Sequence, residues 1–315
     1  GESIKATERD SDAFLRYATM EIDGAMHSLT RSLAIAMYRD GSGVLGQQNS
    51  SDPGGGTTLT LSNAEDITNF EVGMKVVLAA SATGALLSNV GTKEITAIDR
   101  DAGTLTTTTL HGDADAGDYI IAEGDDYATG SSYKKVRGLE AWCPASAPGA
   151  TAFFGVDRTA DVTRLGGNRF DGSALPIEEA LIGGAARVAR EGGRPDHCFV
   201  DFATFSNLEK ALGSKVVYDE AKARDVDIGF AAISLRGPRG TIKIIPDQNC
   251  QPNVAWMLQL DTWSLNTLGE APMFLDFDGN RMLRESGDDA YEIRLGYYGN
   301  VACNAPGYNC RVALA

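Results

Sequence analysis

The sequence predicts an α+β chain that carries a small inserted all-β domain. Three observations lead there. One long amphipathic helix spans residues 11–43 with both ends marked; a Thr- and Val-rich run of short strands lies between two polar, glycine-rich stretches; and from residue 134 onward strands alternate with two helices before a carboxyl-terminal sheet.

In the helix, Leu15, Ala18, Ile22, Ala25, Leu29, Leu33 and Ala36 recur at steps of three and four, and Met26 and Met37 widen the stripe. That spacing predicts one face buried along the whole length. Asp10 or Ser11 suits the amino-terminal cap with Asp12 in the first turn, and Arg39 followed by Asp40-Gly41 supplies a cation and a left-handed stop. The rod is on the order of 40 Å long. Gly24 at its middle costs roughly 1 kcal/mol against alanine, which predicts compensating packing or a close backbone there. Residues 41–56 (GSGVLGQQNSSDPGGG) read as a linker. Their G-x-G-x-x-G letters, Gly41 to Gly46, follow a helix instead of a strand and so read as a helix stop, not a dinucleotide loop.

Five strands are predicted at 57–61, 74–80, 93–99, 104–110 and 118–123, with turns at 101–103 and 112–117. They make a barrel or sandwich inserted over 49–132, between flexible flanks, and expected to fold on its own. Beyond an irregular stretch, Pro176 starts a helix over 177–191 with Ile177, Leu181, Ala185 and Val188 inward, ended by Gly192-Gly193. A strand at 197–202, a helix at 203–212 and strands beginning at Ala231, Thr241 and Val254 complete an α+β unit. Segments 272–277 and 281–285 flank Asp278-Gly279, a dipeptide suited to a hairpin between them, and alternation from Tyr291 predicts a closing strand.

The net charge of −15, from 28 basic and 43 acidic residues, argues against a nucleic-acid surface. Five scattered cysteines, Cys143, Cys198, Cys250, Cys303 and Cys310, fit reduced thiols of an intracellular setting better than a disulfide framework, and Cys303 and Cys310 read as two buried thiols. No run of 18 apolar residues and no basic-then-apolar leader is present, so no membrane partner is expected. His27, His111 and His197 lie far apart and no C-x-x-C occurs; Asp276 to Asn280 fits a turn better than a calcium loop. No G-x-S-x-G elbow or phosphate-binding loop is found. No catalytic, cofactor-binding or metal-ligating residue is therefore assigned, and no enzyme is predicted. Trp142, Trp256, Trp263, Phe153-Phe154 and Tyr297-Tyr298 read as core, with some suited to anchoring subunit contacts.

Several unbroken stretches in order carry a resemblance: YRDGSG at Tyr38, GLEAW at Gly138, FFGVDR at Phe153, LPIEEAL at Leu175, REGGRPD at Arg190 and GYYGNVACNAPGYNCRVAL at Gly296. Together they resemble the major capsid proteins of tailed bacteriophages and prophages with the Hong Kong 97 fold. The resemblance implies a spine helix in 1–48, a peripheral domain continued over 133–174, an axial domain at 175–265 and a peripheral sheet at 266–315; the β-insertion at 49–132 departs from the plainest members of the family and is typical of elaborated ones. It implies self-assembly into an icosahedral shell enclosing double-stranded DNA, with copies of the chain in pentamers and hexamers as partners. Scaffold, maturation protease, portal and decoration proteins are its further implied partners; the location implied is the virion, after assembly in the host cytoplasm. The family's arm and extended loop would precede the spine helix, so a segment ahead of Gly1 is expected. Some members join a lysine to an asparagine of a neighbour, but Asn280, Asn300, Asn304 and Asn309 offer no basis for choosing one, and no crosslink is assigned. An encapsulin-like compartment shell is the alternative of similar fold. A carbohydrate- or receptor-binding β-domain protein, prompted by the Thr-rich strands, is the alternative of another class.

Overall fold

Helix α1 (Ser11–Tyr38) dominates a computed structural model that describes residues 11–49, 56–87, 91–108, 114–212, 233–276, 279, 283–284 and 291–315. Asp10, His111, Asp278, Asn280, the linker residues 50–55 and the segment 213–232 lie outside the described residues. The helix stops as its sequence requires: Arg39 N–H donates to Ala36 O, Ser42 N–H to Asp40 Oδ1, and Gly41 takes φ +91°.

Burial of the stripe is only partial. Leu33, Ile35, Ala36 and Tyr38 are buried, whereas Ile22, Met26 and Leu29 are half-buried, Ala25 is exposed and Met20 is 74% exposed. The expectation of a face buried throughout therefore fails over residues 19–29. The apolar periodicity continues past the point where the described residues cover it. Gly24 is part of the same correction, because a Cβ placed there would meet nothing within 4 Å. Gly24→Ala is expected to stabilise the isolated chain by about 0.5–1 kcal/mol, read as a higher denaturation midpoint, since it removes backbone entropy and adds no clash.

Six antiparallel strands follow: β1 (Val44–Gln47), β2 (Thr58–Thr60), β3 (Lys75–Ala79), β4 (Lys93–Asp99), β5 (Thr104–Thr107) and β6 (Tyr119–Ala122), in the order β1-β6-β3-β4-β5-β2. A bridge between Gln48 and Leu61, with Asn49 N–H donating to Thr60 O and Ser62 N–H to Gln47 O, joins the first and last strands and closes the sheet into a barrel. Leu59, Phe70, Val76, Leu78, Ile95, Leu105 and Ile120 fill it. β1 corrects the reading of 41–56 as linker. Leu45 packs on the barrel core and Val44 on Val77, Ala79 and Ile121, while Gly46 lies where an added Cβ would touch Leu61 and the Phe70 ring at 3.3 Å. Arg31 pairs with Glu71 and donates to Thr68 O, Lys135 reaches Asp125 at 2.8 Å and Ser32 at 2.7 Å, and Arg39 reaches Asp66 at 2.7 Å. These contacts tie the barrel to α1.

The second sheet takes the order β7-β18-β11-β8-β10-β9, from β7 (Asn168–Asp171), β8 (His197–Val200), β9 (Ile233–Gly237), β10 (Gly240–Pro246), β11 (Val254–Leu258) and β18 (Cys310–Ala313). Residue alternation along β11 sorts its two faces. Ala255 and Met257 pack under helices α3 (Ile177–Arg190) and α4 (Phe202–Leu212), with Leu181, Ala185, Val188, Phe205 and Leu208. Val254, Trp256 and Leu258 face Tyr38 and the short helix α2 (Leu139–Trp142) on the other side. Because β7 and β18 pair with each other and β18 with β11, this sheet draws strands from either side of the expected boundaries at 174/175 and 265/266. Sheet pairing joins residues by register, which sequence segmentation does not see.

Between β11 and β18 the chain makes one nested antiparallel ribbon. β12 (Trp263–Thr267) pairs with β17 (Gly299–Cys303), β13 (Met273–Phe274) with β16 (Leu295–Gly296), and β14 (Leu283–Arg284) with β15 (Tyr291–Glu292). Leu268 N–H to Tyr298 O and Leu275 N–H to Arg294 O fill the intervals. The hairpin expected across Asp278-Gly279 is thus corrected. A turn is present, with Gly279 N–H donating to Asp276 O and Gly279 at φ +74°, but the strands on its two sides pair with the returning leg and not with each other.

Candidate functional site

Two features of the surface stand out, and Trp142 makes ring contacts with residues of both. Its indole N–H donates to Val301 O at 3.0 Å, which fixes α2 to the base of the ribbon. On one side its ring meets Trp263 edge-on at 6.5 Å; on the other it meets Phe153 edge-on at 4.9 Å and stacks on Phe154 at 5.9 Å.

The Trp263 side opens into an apolar groove of about 390 Å³ between the end of α1 and the ribbon, with Met37, Tyr38, Phe199, Leu265 and Val301 among its walls. The Tyr38 hydroxyl donates to Asp247 Oδ2 at 2.9 Å. Burial first, and the Asp247 charge second, push the Tyr38 phenol well above its usual range, so it stays protonated as a donor.

The Phe153 side is a tight two-residue turn. Phe153 and Val156 exchange both backbone hydrogen bonds, and Phe154 and Gly155 between them take φ +48° and +81°. Such turns favour Asn, Asp or Gly at both central positions; an L-residue without that help bears about 1–2 kcal/mol of strain. Phe154 bears it while remaining 52% exposed, and Val156 is exposed beside it. The Arg137 guanidinium lies 3.8 Å from the Tyr133 ring centre and 4.6 Å from that of Phe153, and Arg158 lies 4.1 Å from Phe153. Arg158 also caps the end of α2 by donating to Ala141 O at 2.8 Å. Partial burial and the neighbouring Arg137 charge lower the Arg158 pKa.

Nothing in this arrangement is a proton-transfer pair or an activated nucleophile. All five cysteines are free and buried. Burial pushes the Cys198 and Cys310 thiols up to about 12 and Cys303 up to about 11, leaving a negligible thiolate fraction at neutral pH. His197 stacks on Phe199 beside Asp196, and His27 is exposed on α1. Among the described residues no group of three His, Cys, Asp or Glu could hold a metal ion, and no helix is long and apolar enough to cross a membrane. Asn309 is fully buried; its Oδ1 accepts from Gln259 N–H and Trp263 Nε1–H, and its Nδ2 donates to Thr262 Oγ1 and Ala305 O. Asn300 Oδ1 accepts the Arg137 N–H at 2.8 Å, and Asn304 is exposed. Of the aromatics read as core, Trp256 is fully buried and Phe153 buried, whereas Phe154 and Tyr298 face solvent. The pairing of Arg137 with these rings was not predicted, although the Phe-Phe-Gly run in a loop was its visible trace.

Among the described residues the surface offers an apolar groove and exposed aromatics suited to contact. Residues 118–288, more than half of the chain, match the family model described as SU10 major capsid protein, and the chain belongs to that family. It is a phage major capsid protein, a structural subunit of the head shell with no enzymatic role, which assembles with copies of itself in the virion capsid. No curated protein matches the chain.

Proposed function

We propose that the subunit has the Hong Kong 97 architecture and builds an icosahedral shell of pentamers and hexamers around double-stranded DNA. The observation that carries this reading is the long helix α1 set against a long two-stranded ribbon, next to a separate sheet covered by two helices. In this layout α1 is the spine and the ribbon the peripheral sheet. The β7–β11 and β18 sheet with α3 and α4 is the axial domain, and the barrel is an insertion at the carboxyl end of the spine. Leu33, Ala36 and Val136 packing with Tyr297 and Val301 supports the pairing of spine and ribbon. The acidic balance suits a shell filled with DNA by a motor, since a lining of like charge does not adhere to the packaged duplex. Scaffold, protease, portal and decoration proteins are the further partners this reading implies.

Electron cryo-microscopy of particles made by the protein together with its neighbouring gene products tests the proposal. Closed icosahedral shells with α1 and the ribbon resolved in each subunit are expected. Shells of a different subunit fold, or open sheets alone, would overturn it.

A further inference from the structure

The Phe153–Val156 turn and its two arginines are poorly explained as core. The fold holds a bulky aromatic at positive φ only to leave it half exposed, and two guanidinium groups of like charge lie 4.6 Å and 4.1 Å from the Phe153 ring centre. Among the described residues neither Arg137 nor Arg158 pairs with a carboxylate, and the Nε of each is buried without a hydrogen-bond partner. The charges that act on Arg158 come from other arginines, a cysteine and a tyrosine. This is a cationic, aromatic island on a chain of net charge −15. Strain retained at an exposed position is a mark of a functional surface, and arginine with aromatic side chains is the composition that dominates the energetics of protein contacts.

We infer that this island is a contact between copies of the chain, in which the Phe154–Val156 turn seats on an apolar surface of a neighbouring copy and Arg137 receives one of its carboxylates. The inference rests on the shell reading, which makes another copy the neighbour of every subunit. Charge complementarity then selects the geometry: each copy carries 43 acidic residues against 28 basic ones, so approaching surfaces repel except where such an island meets a carboxylate. Because the island has no symmetric counterpart on itself that would attract it, the contact is between two different surfaces, the kind that closes rings.

The test uses the full chain and two variants, Phe154→Asn and Arg137→Glu, followed by sedimentation velocity, electron microscopy and thermal melting. Asn accepts positive φ readily, so Phe154→Asn keeps or raises the melting temperature while self-association weakens at least tenfold. Arg137→Glu weakens it as much, and high salt narrows the gap between Arg137→Glu and wild type. Wild-type-like association of both variants would overturn the contact and leave the shell reading standing. A wild-type chain that stays monomeric under every condition would overturn both. Salt-sensitive binding of a single-stranded oligonucleotide, lost in Arg137→Glu, would assign the island to nucleic acid and also overturn the contact.

Discussion

Gly138→Ala is expected to destabilise the protein by about 3 kcal/mol or more. A Cβ at Gly138 would lie 2.0 Å from Met37 O, 2.3 Å from Met37 C and 2.5 Å from Ala36 O, all of them backbone atoms of the last turn of α1. No rotamer change relieves a clash with main chain, so the two segments must part. Parting them breaks the hydrogen bond from Gly138 N–H to Arg39 O at 2.9 Å and lifts α2, with Trp142, from the groove and the ribbon. Denaturant unfolding should show a much lower midpoint at an unchanged slope. A loss below about 1 kcal/mol would mean that the end of α1 yields easily and that the junction is softer than its geometry implies. Gly24→Ala, the same substitution in the same helix system, carries the opposite expected sign. The contrast separates a glycine kept for close approach from one with open space around it.

How far the sequence was legible follows from the range over which each signal acts. The helices at 11–38, 177–190 and 202–212 and the barrel strands from residue 58 on show in a single window, because period and punctuation coincide there. β1 was hidden because a four-residue strand containing Gly46 sits in a glycine-rich run, where composition speaks for a linker and only the partner strand β6 speaks against it. The ribbon was hidden for a related reason. Its three pairs are either two-residue strands or lie 30 or more residues apart, and Asp278-Gly279 offered a nearer pairing that the fold does not use. In the candidate site, Trp142, Phe153 and Phe154 were visible as aromatics, but their grouping with Arg137 and Arg158 depends on a turn whose central residue, Phe154, contradicts turn propensity. Such a violation can be recognised only once the backbone is known. Residues 19–29 of α1 show the reverse: their stripe was legible, and among the described residues it is left partly uncovered.

Arg39→Met should cost about 3–5 kcal/mol near pH 8, and the cost should shrink as the pH falls toward 4. Arg39 donates to Asp66 Oδ1 at 2.7 Å, with both side chains about 85% buried (15% and 13% exposed), and its charge also acts on Glu140. Burial raises the pKa of both carboxyls, and Arg39 opposes that rise in each. Removing the guanidinium while keeping an apolar stem therefore raises both folded-state values further. A group whose folded pKa lies above its unfolded value contributes stability that is complete below the unfolded pKa, about 4 for a carboxyl, and is lost as the pH rises through the folded pKa. The deficit of the variant must then be greatest where both carboxyls would be ionised, at neutral and alkaline pH, and smallest where both are protonated. Adding Asp66→Asn to Arg39→Met should recover part of the loss at pH 8 and little at pH 4. Stability curves for wild type and both variants over this range decide the matter. A deficit that stays constant with pH would show that Arg39 joins the barrel to α1 through the packing of its stem, and that the charge shared between Asp66 and Glu140 contributes nothing to the joint.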